Sequence, residues 1–391
     1  MKRLRSSRAL LACAVFVIVL SGCGGSKHAA RKQAPTTTSG SAPTATGQAP
    51  KLTAGPIGGP VPTRFDPDSF TAISDNDYWV LGRIPCRAGR CFSILRTSDG
   101  GRSFASIPAP ALPKEGTVPT LRFADRLDGF AVVPGVGGVL YATHDGGATW
   151  KKLPLRTVLA FATGGGNAYA VTARCSQEGC TGYRFERSPV FVNAWSASAM
   201  PFAPDGSTVD LAVHGSRVWL LGTPAGSERT RSDELARSTD GGRTFTSGPG
   251  PCYPGLGGEL APTSASVVWA VCPSGMMAGA SRSTDGGITF IHLRTPPLVN
   301  SAALAPASED TAVLAGNGAG SRLLRTTDGG ATWRAPSTPG RMTFVLWIGF
   351  TDADVGTAVV QTRYDAAMKN EIQVLWRTTD GGAHWSEVRF R

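Results

Sequence analysis

Histidine is scarce in this chain and scattered where it occurs. Two of the five (His28, His144, His214, His292 and His384) fall inside a repeated turn motif, and no Ser-His or Cys-His signature of nucleophilic catalysis accompanies any of them. No cysteine pair has the two-residue spacing of a zinc site with a histidine nearby, which removes the support for a metal centre. Acidic residues are missing altogether from the first sixty positions. The apolar run Ala9 to Leu20 is too short to span a bilayer, so it excludes a transmembrane helix at that place.

What the first sixty residues do contain is ordered in three parts. Lys2, Arg3, Arg5 and Arg8 precede the apolar run, the layout of a secretory signal. The run ends in Leu20-Ser21-Gly22-Cys23, which resembles the lipobox of bacterial lipoproteins. That resemblance implies cleavage after residue 22, diacylglyceryl modification of the Cys23 thiol, and a lipid anchor on the extracytoplasmic face of a cell membrane. Residues 23–61 are rich in Gly, Ser, Thr, Ala and Pro and read as a disordered tether. A single domain is expected over 62–391.

The overall charge of +11 shrinks to +3 over that domain once the four signal charges and Lys27, Arg31, Lys32 and Lys51 of the tether are set apart. A domain so nearly neutral is no nucleic-acid binder. The basic tether suits anionic lipid headgroups beside the anchor.

Six copies of one turn organise the domain. They centre on Asp99, Asp145, Asp240, Asp285, Asp328 and Asp380, each followed by Gly-Gly and, five residues after the aspartate, by Phe or Trp. The aspartates are 46, 95, 45, 43 and 52 residues apart, so one copy is degenerate, around Glu186 to Trp195. A period of this length marks a repeat architecture. Asp-Gly between apolar runs is a strong hairpin signal, because glycine reaches positive φ without a steric penalty. The carboxylate can cap backbone N–H groups of its own turn. The aromatic residue is expected to be a buried anchor. These aspartates therefore read as structural.

A short β-rich run precedes each turn by about twenty residues, as in Tyr78-Trp79-Val80-Leu81 and Val268-Trp269-Ala270-Val271. Tyr169-Ala170-Val171-Thr172 fills the gap where the turn is missing, which makes seven. Four short strands per repeat and seven repeats predict an all-β, seven-bladed β-propeller, expected as a monomer without cofactor.

Six cysteines remain in the domain, and six allow fifteen pairings. With strands a to d in each blade and the Asp-Gly-Gly turn joining c to d, the register narrows the choice. Cys86 and Cys91 fall in the b–c loop of blade 1, and Cys175 and Cys180 in that of blade 3. Cys252 precedes blade 5 and Cys272 ends its strand b. Three disulfides are predicted, all on the face shared by the b–c and d–a loops.

Two long b–c loops share that face. One carries Glu228, Arg229 and Arg231; the other carries Arg363, Tyr364 and Asp365. Loops on a rigid scaffold are where recognition residues concentrate, so these are candidate ligand contacts. Five arginines (Arg96, Arg237, Arg282, Arg325, Arg377) stand three residues before a motif aspartate. They read as scaffold residues pairing with a carboxylate in the same or the next blade, the alternative being a basic ring for an acidic partner.

Ser/Thr-x-Asp-x-Gly-x-Thr-Trp/Phe resembles the Asp-box, or bacterial neuraminidase repeat, of sialidases, xyloglucan-degrading glycosidases, sortilin-type receptors and photosystem II assembly/stability factor-like propellers. The dense form at Arg325 to Trp333 looks most like the assembly-factor group. That resemblance implies a non-enzymatic scaffold binding an envelope protein or glycan. The alternative is an exo-α-sialidase-like or other glycoside hydrolase, for which Arg83-Ile84-Pro85 offers one candidate ligand-contact arginine. The rest of such a site does not assemble from the sequence, and no catalytic or metal-binding residue is assigned.

Overall fold

The computed structural model describes residues 58–391, apart from Ala88, 114–117, 227–232, Pro254, 296–297, 300–301, 318–320 and 365–370. The expected signal, Cys23 and almost all of the expected tether thus lie outside the described residues.

Seven antiparallel sheets follow one another along the chain, and each is built from consecutive strands. The protein is an all-β, seven-bladed β-propeller. Blade 1 comprises β1 (Asp66–Ala72), β2 (Tyr78–Cys86), β3 (Gly89–Thr97) and β4 (Ala105–Ile107), in spatial order from the axis outward. Blades 2 to 7 occupy 120–152, 157–199, 204–249, 259–292, 302–326 and 344–388. A two-residue strand, Leu298–Val299, adds to the outer part of blade 5.

Each second strand is flanked by sheets on both sides. Its residues are buried on both faces, as Val80, Leu81, Val218 and Leu221 are, so its sequence is continuously apolar and does not alternate.

The Asp-Gly-Gly turns are hydrogen-bonded in one pattern. In blade 4, Ser238 Oγ donates to Asp240 Oδ1 (2.8 Å), as do the amides of Arg243 (2.9 Å) and Thr244 (3.0 Å). Thr244 Oγ1 donates to Asp240 Oδ2 at 2.7 Å, and the Gly242 amide donates to Ser238 Oγ at 2.9 Å. The Thr244 hydroxyl foremost, with these other donors, holds the Asp240 carboxyl well below the usual carboxylate range. Blade 7 puts His384 where other turns have Ser or Thr, with Nδ1 2.6 Å from Asp380 Oδ2.

Blade 3, which lacks the aspartate, keeps the hydroxyl. Ser188 Oγ donates to the Val192 carbonyl (2.6 Å) and accepts the Ala194 amide (3.0 Å), so this turn lies within the expected stretch.

Two details of the sequence reading are corrected. Of the six aromatic residues that close the turns, only Trp385 is buried; the rest are half-buried. Four of them pack edge-on against another aromatic: Phe104 on Tyr78, Trp150 on Phe123, Phe245 on Phe185 and Trp385 on Phe350. The deep anchors are instead Trp79, Trp219, Trp269 and Trp376 of the middle strands. Blade 6 has three strands, not four. Its outer edge makes one reciprocal bridge between Arg325 and Arg334. The next pairing position is Pro336, which stands where Leu153 and Leu293 donate their amides in blades 2 and 5. Proline has no amide to give. The chain leaves blade 6 there and pairs through Ser337 with Ala383 and Trp385 of blade 7.

Candidate functional site

The propeller presents two faces, and the turn chemistry separates them. On the Asp-Gly-Gly face, polar side chains tie each blade to a neighbour. Arg187 donates to the Gly241 carbonyl (3.1 Å), Arg325 to that of Gly381 (2.6 Å), and Arg377 to those of Gly100 and Asp75. Trp219 Nε1 reaches Gly286 O at 2.9 Å, and Arg282 binds Asp310 and the Glu309 carbonyl. Arg96 instead lies over the Trp79 ring. Three of the five repeated arginines, with Arg187, are blade-to-blade latches. The carboxylates of Asp99, Asp145, Asp240, Asp285, Asp328 and Asp380 are engaged by donors of their own turns.

The opposite face carries all three disulfides: Cys86–Cys91, Cys175–Cys180 and Cys252–Cys272. The first two pairs sit on the hairpin strands themselves, because strands b and c run further than their apolar cores suggest. Cys175 and Cys180 are direct cross-strand partners.

Arg83 lies on this face, at the rim of blade 1. Its Nε is 3.0 Å from Asp68 Oδ2, and its guanidinium stands over the Phe92 ring at 5.5 Å. The two atoms are close but poorly aligned for a hydrogen bond, so the contact is one of charge. Asp68 is 1% exposed, and burial pushes its carboxyl up to about 6 against the pull of Arg83. Arg90 and Arg64 pair with Asp66 beside it.

The other candidate contacts are not brought into view. Glu228, Arg229, Arg231 and Asp365 lie outside the described residues. Arg363 and Tyr364 end a strand, Gly356–Tyr364, and their side chains are likewise outside what is described.

Along the axis, Ser69, Asp210 and Glu259 occupy the same level of the innermost strands, opposite Leu81, Leu221 and Val271. Ser69 Oγ accepts the Leu121 amide of the next blade at 3.1 Å, and Asp210 Oδ2 accepts that of Leu260 at 2.7 Å. Burial, then the charge of Glu259, pushes the Asp210 carboxyl up to about 7. Glu259 is open to solvent yet enclosed by the surrounding blades, and that enclosure raises its carboxyl too.

The residues that sequence reasoning missed flank the third disulfide. Tyr253 (64% exposed) and Leu256 precede blade 5, while Met276 (79% exposed) and Met277 form the tip of its b–c hairpin. Cys252–Cys272 clamps the two segments together. Exposed apolar side chains on two segments joined by a disulfide are a recognition feature, and methionine adapts its shape to what it meets. Two apolar residues beside each half of a disulfide were the only sequence signal. Among the described residues no three His, Cys, Asp or Glu side chains gather as a metal site.

The class is thus a seven-bladed propeller with latched blades on one face and a disulfide-stiffened rim on the other. Among protein families and curated proteins the chain matches none. It is similar to several solved structures. One is the β-propeller domain of the Trilobed protease from Pyrococcus furiosus (TM-score 0.56, 8% identity, 84% of this chain and 97% of that one). Another is a puromycin-hydrolyzing peptidase of Mycobacterium tuberculosis (0.55, 13% identity, 84% of this chain and 53% of that one). A third is YCF48 bound to a D1 peptide (0.48, 17% identity, 82% of this chain and 95% of that one). At these identities the likeness is one of fold.

Proposed function

We propose that the chain is an exported, lipid-anchored propeller that binds an envelope protein through its disulfide-bearing face and performs no chemistry itself. The observation that carries this reading is the apolar edge of Tyr253, Leu256, Met276 and Met277 held by Cys252–Cys272. Protein interfaces are enriched in tyrosine and methionine at their cores, whereas a rim meant only for water has no use for such a cluster. The engaged state of the turn carboxylates and the pairing of Arg83 with Asp68 also favour a scaffold over a glycosidase. A glycosidase needs two carboxylates at a set separation, free to act on a bond between them.

A photo-crosslinking residue placed at Met276 in intact cells should trap one protein. The same probe at Ile291, exposed on the outer strand of blade 5, should trap none. Equal trapping at both places removes the reading. Cys23→Ala should move the chain from the membrane to the soluble fraction. Turnover of a fluorogenic sialoside that is abolished by Arg83→Ala would replace the scaffold with the enzyme.

A further inference from the structure

The turn of blade 3 departs from its six counterparts in what it shows to solvent. Arg187 faces Tyr169 as Arg237 faces Trp219, so by register Ser188 matches Ser238 and Val190 takes the place of the aspartate. Phe191 and Val192 then stand at the two glycines, and Trp195 at the closing aromatic. Phe191 is 69% exposed, and Val192 is exposed beside it. The base of the turn is fixed. Val190 is buried and Trp195 half-buried in the apolar cluster between blades 2 and 3. Ser188 Oγ, itself buried, joins the Val192 carbonyl to the Ala194 amide.

Three observations indicate what this apolar tip meets. The first is size. Two side chains are too few for a stable protein interface, which buries about 1,200–2,000 Å². Membrane binding grows with whatever apolar area is buried and with attraction to anionic lipid, so a small tip can add to an existing anchor. The second is charge. Residues 151–199 hold six basic and two acidic side chains, a surplus larger than that of the whole domain. Lys151 and Lys152 are exposed and lead into Leu153 of the same cluster, so they border the turn. Glu186, one of the two acids, is buried against Thr172. The carboxylates of the flanking turns, Asp145 and Asp240, are held by their own donors. The third is the course of the chain. Gly58, the first described residue, lies 35 positions after Cys23. An anchor at Cys23 keeps the propeller within reach of the bilayer and raises the effective concentration of a weak contact.

We infer that this turn is a second membrane contact: Phe191 and Val192 enter the boundary between headgroups and acyl chains, and Lys151 and Lys152 meet lipid phosphates. The Asp-Gly-Gly face is then turned towards the bilayer and the disulfide-bearing face away from it, open to a partner. The inference rests on the lipid-anchored reading for access to a membrane.

The test uses the lipidated full chain in vesicles of phosphatidylcholine and phosphatidylglycerol that carry a nitroxide on the acyl chain. A nitrobenzoxadiazole probe on Val192→Cys should shift to the blue and be quenched. The same probe on Met276→Cys, on the opposite face, should do neither. Phe191→Asp should abolish quenching at position 192 with the melting temperature unchanged. Lys151→Glu combined with Lys152→Glu should reduce it, and only where phosphatidylglycerol is present. Absent quenching at position 192, equal quenching at both positions, or quenching that survives Phe191→Asp would each overturn the inference. So would a photo-crosslinker at position 191 that traps a protein instead of lipid in intact cells. A chain that floats with the vesicles but is not quenched sinks this contact and leaves the anchor. A chain that does not float sinks the anchor, and this contact with it.

Discussion

The guanidinium of Arg377 donates to the carbonyl of Asp75, 2.7 Å away and 302 residues earlier in the chain. With its second bond, to Gly100, this side chain joins the last blade to the first. Phe70 against Trp347 and Phe390 against Phe65 and Phe104 complete the junction. Hydrogen bonds from a charged donor are worth about 1.5–3 kcal/mol net. Arg377→Ala is expected to destabilise the ring by about 2 kcal/mol in urea unfolding. Arg102→Ala, which removes an exposed arginine bonded only within its own turn, should cost under about 0.5 kcal/mol.

The second glycine of the turn is more constrained than the first. At Gly242 (φ 76°) an added Cβ would lie 2.4 Å from the Phe185 ring, whereas at Gly241 (φ 74°) the nearest atom would be 3.5 Å away. Both positions impose left-handed strain on alanine, but only one also forces a clash with a buried ring. Gly242→Ala should cost about 2–4 kcal/mol and Gly241→Ala about 1 kcal/mol, measured by shifts in the denaturation midpoint.

Stability should peak on the acid side of neutrality. Asp68 and Asp210 hold their protons more tightly in the folded chain, up to about 6 and about 7 against an ordinary 3.8. Their contribution is therefore present at low pH and lost as pH rises from 3.8 through 6 and 7. The turn carboxylates Asp285, Asp328 and Asp380 lie at about 2, so their contribution is lost as pH falls from 3.8 towards 2. Melting temperature should pass through a maximum near pH 4–5, given these opposing windows. Asp210→Asn should flatten the decline between pH 4 and 7, and a wild-type profile level from pH 5 to 7 would refute the assignment.

The disulfides should differ in weight. Cys252–Cys272 closes a separation of 20 residues and the other two close 5 each. Chain entropy gives about 3 kcal/mol for the first and about 2 kcal/mol for each of the others. Replacing Cys252 and Cys272 together with serine should lower the urea midpoint most. It should also weaken crosslinking at Met276, because the apolar edge loses its clamp.

Much of the fold was legible because the blade-defining residues are local. Asp240, its two glycines and Thr244 build a turn from neighbours in sequence, so their spacing counted the blades. The silent blade still showed its strand, although Ser188 had taken over part of the work of the aspartate. The arginines three residues earlier were visible as a pattern, but Arg325 and Arg377 donate to carbonyls of another blade where a carboxylate was expected, and only Arg282 meets one, Asp310. No local signal marks Gly381 as the partner of Arg325. The site was less legible for the same reason. Tyr253 and Met276 are ordinary surface residues until Cys252 and Cys272 bond, and Asp210 meets Glu259 only because two inner strands align around the axis.

Every blade is made of consecutive strands, and the two ends of the described chain meet one edge. Gly59 pairs with Ser106, and the Arg391 carbonyl accepts the Phe104 amide, both on the outer rim of blade 1. The ring therefore has no privileged seam. A short linker from Arg391 to Gly59, with a new opening between blades 2 and 3, would leave all seven sheets whole. The order in which the blades are synthesised is thus separable from the shape they adopt. A circular permutant is a way to move the chain's ends around the rim without touching either face.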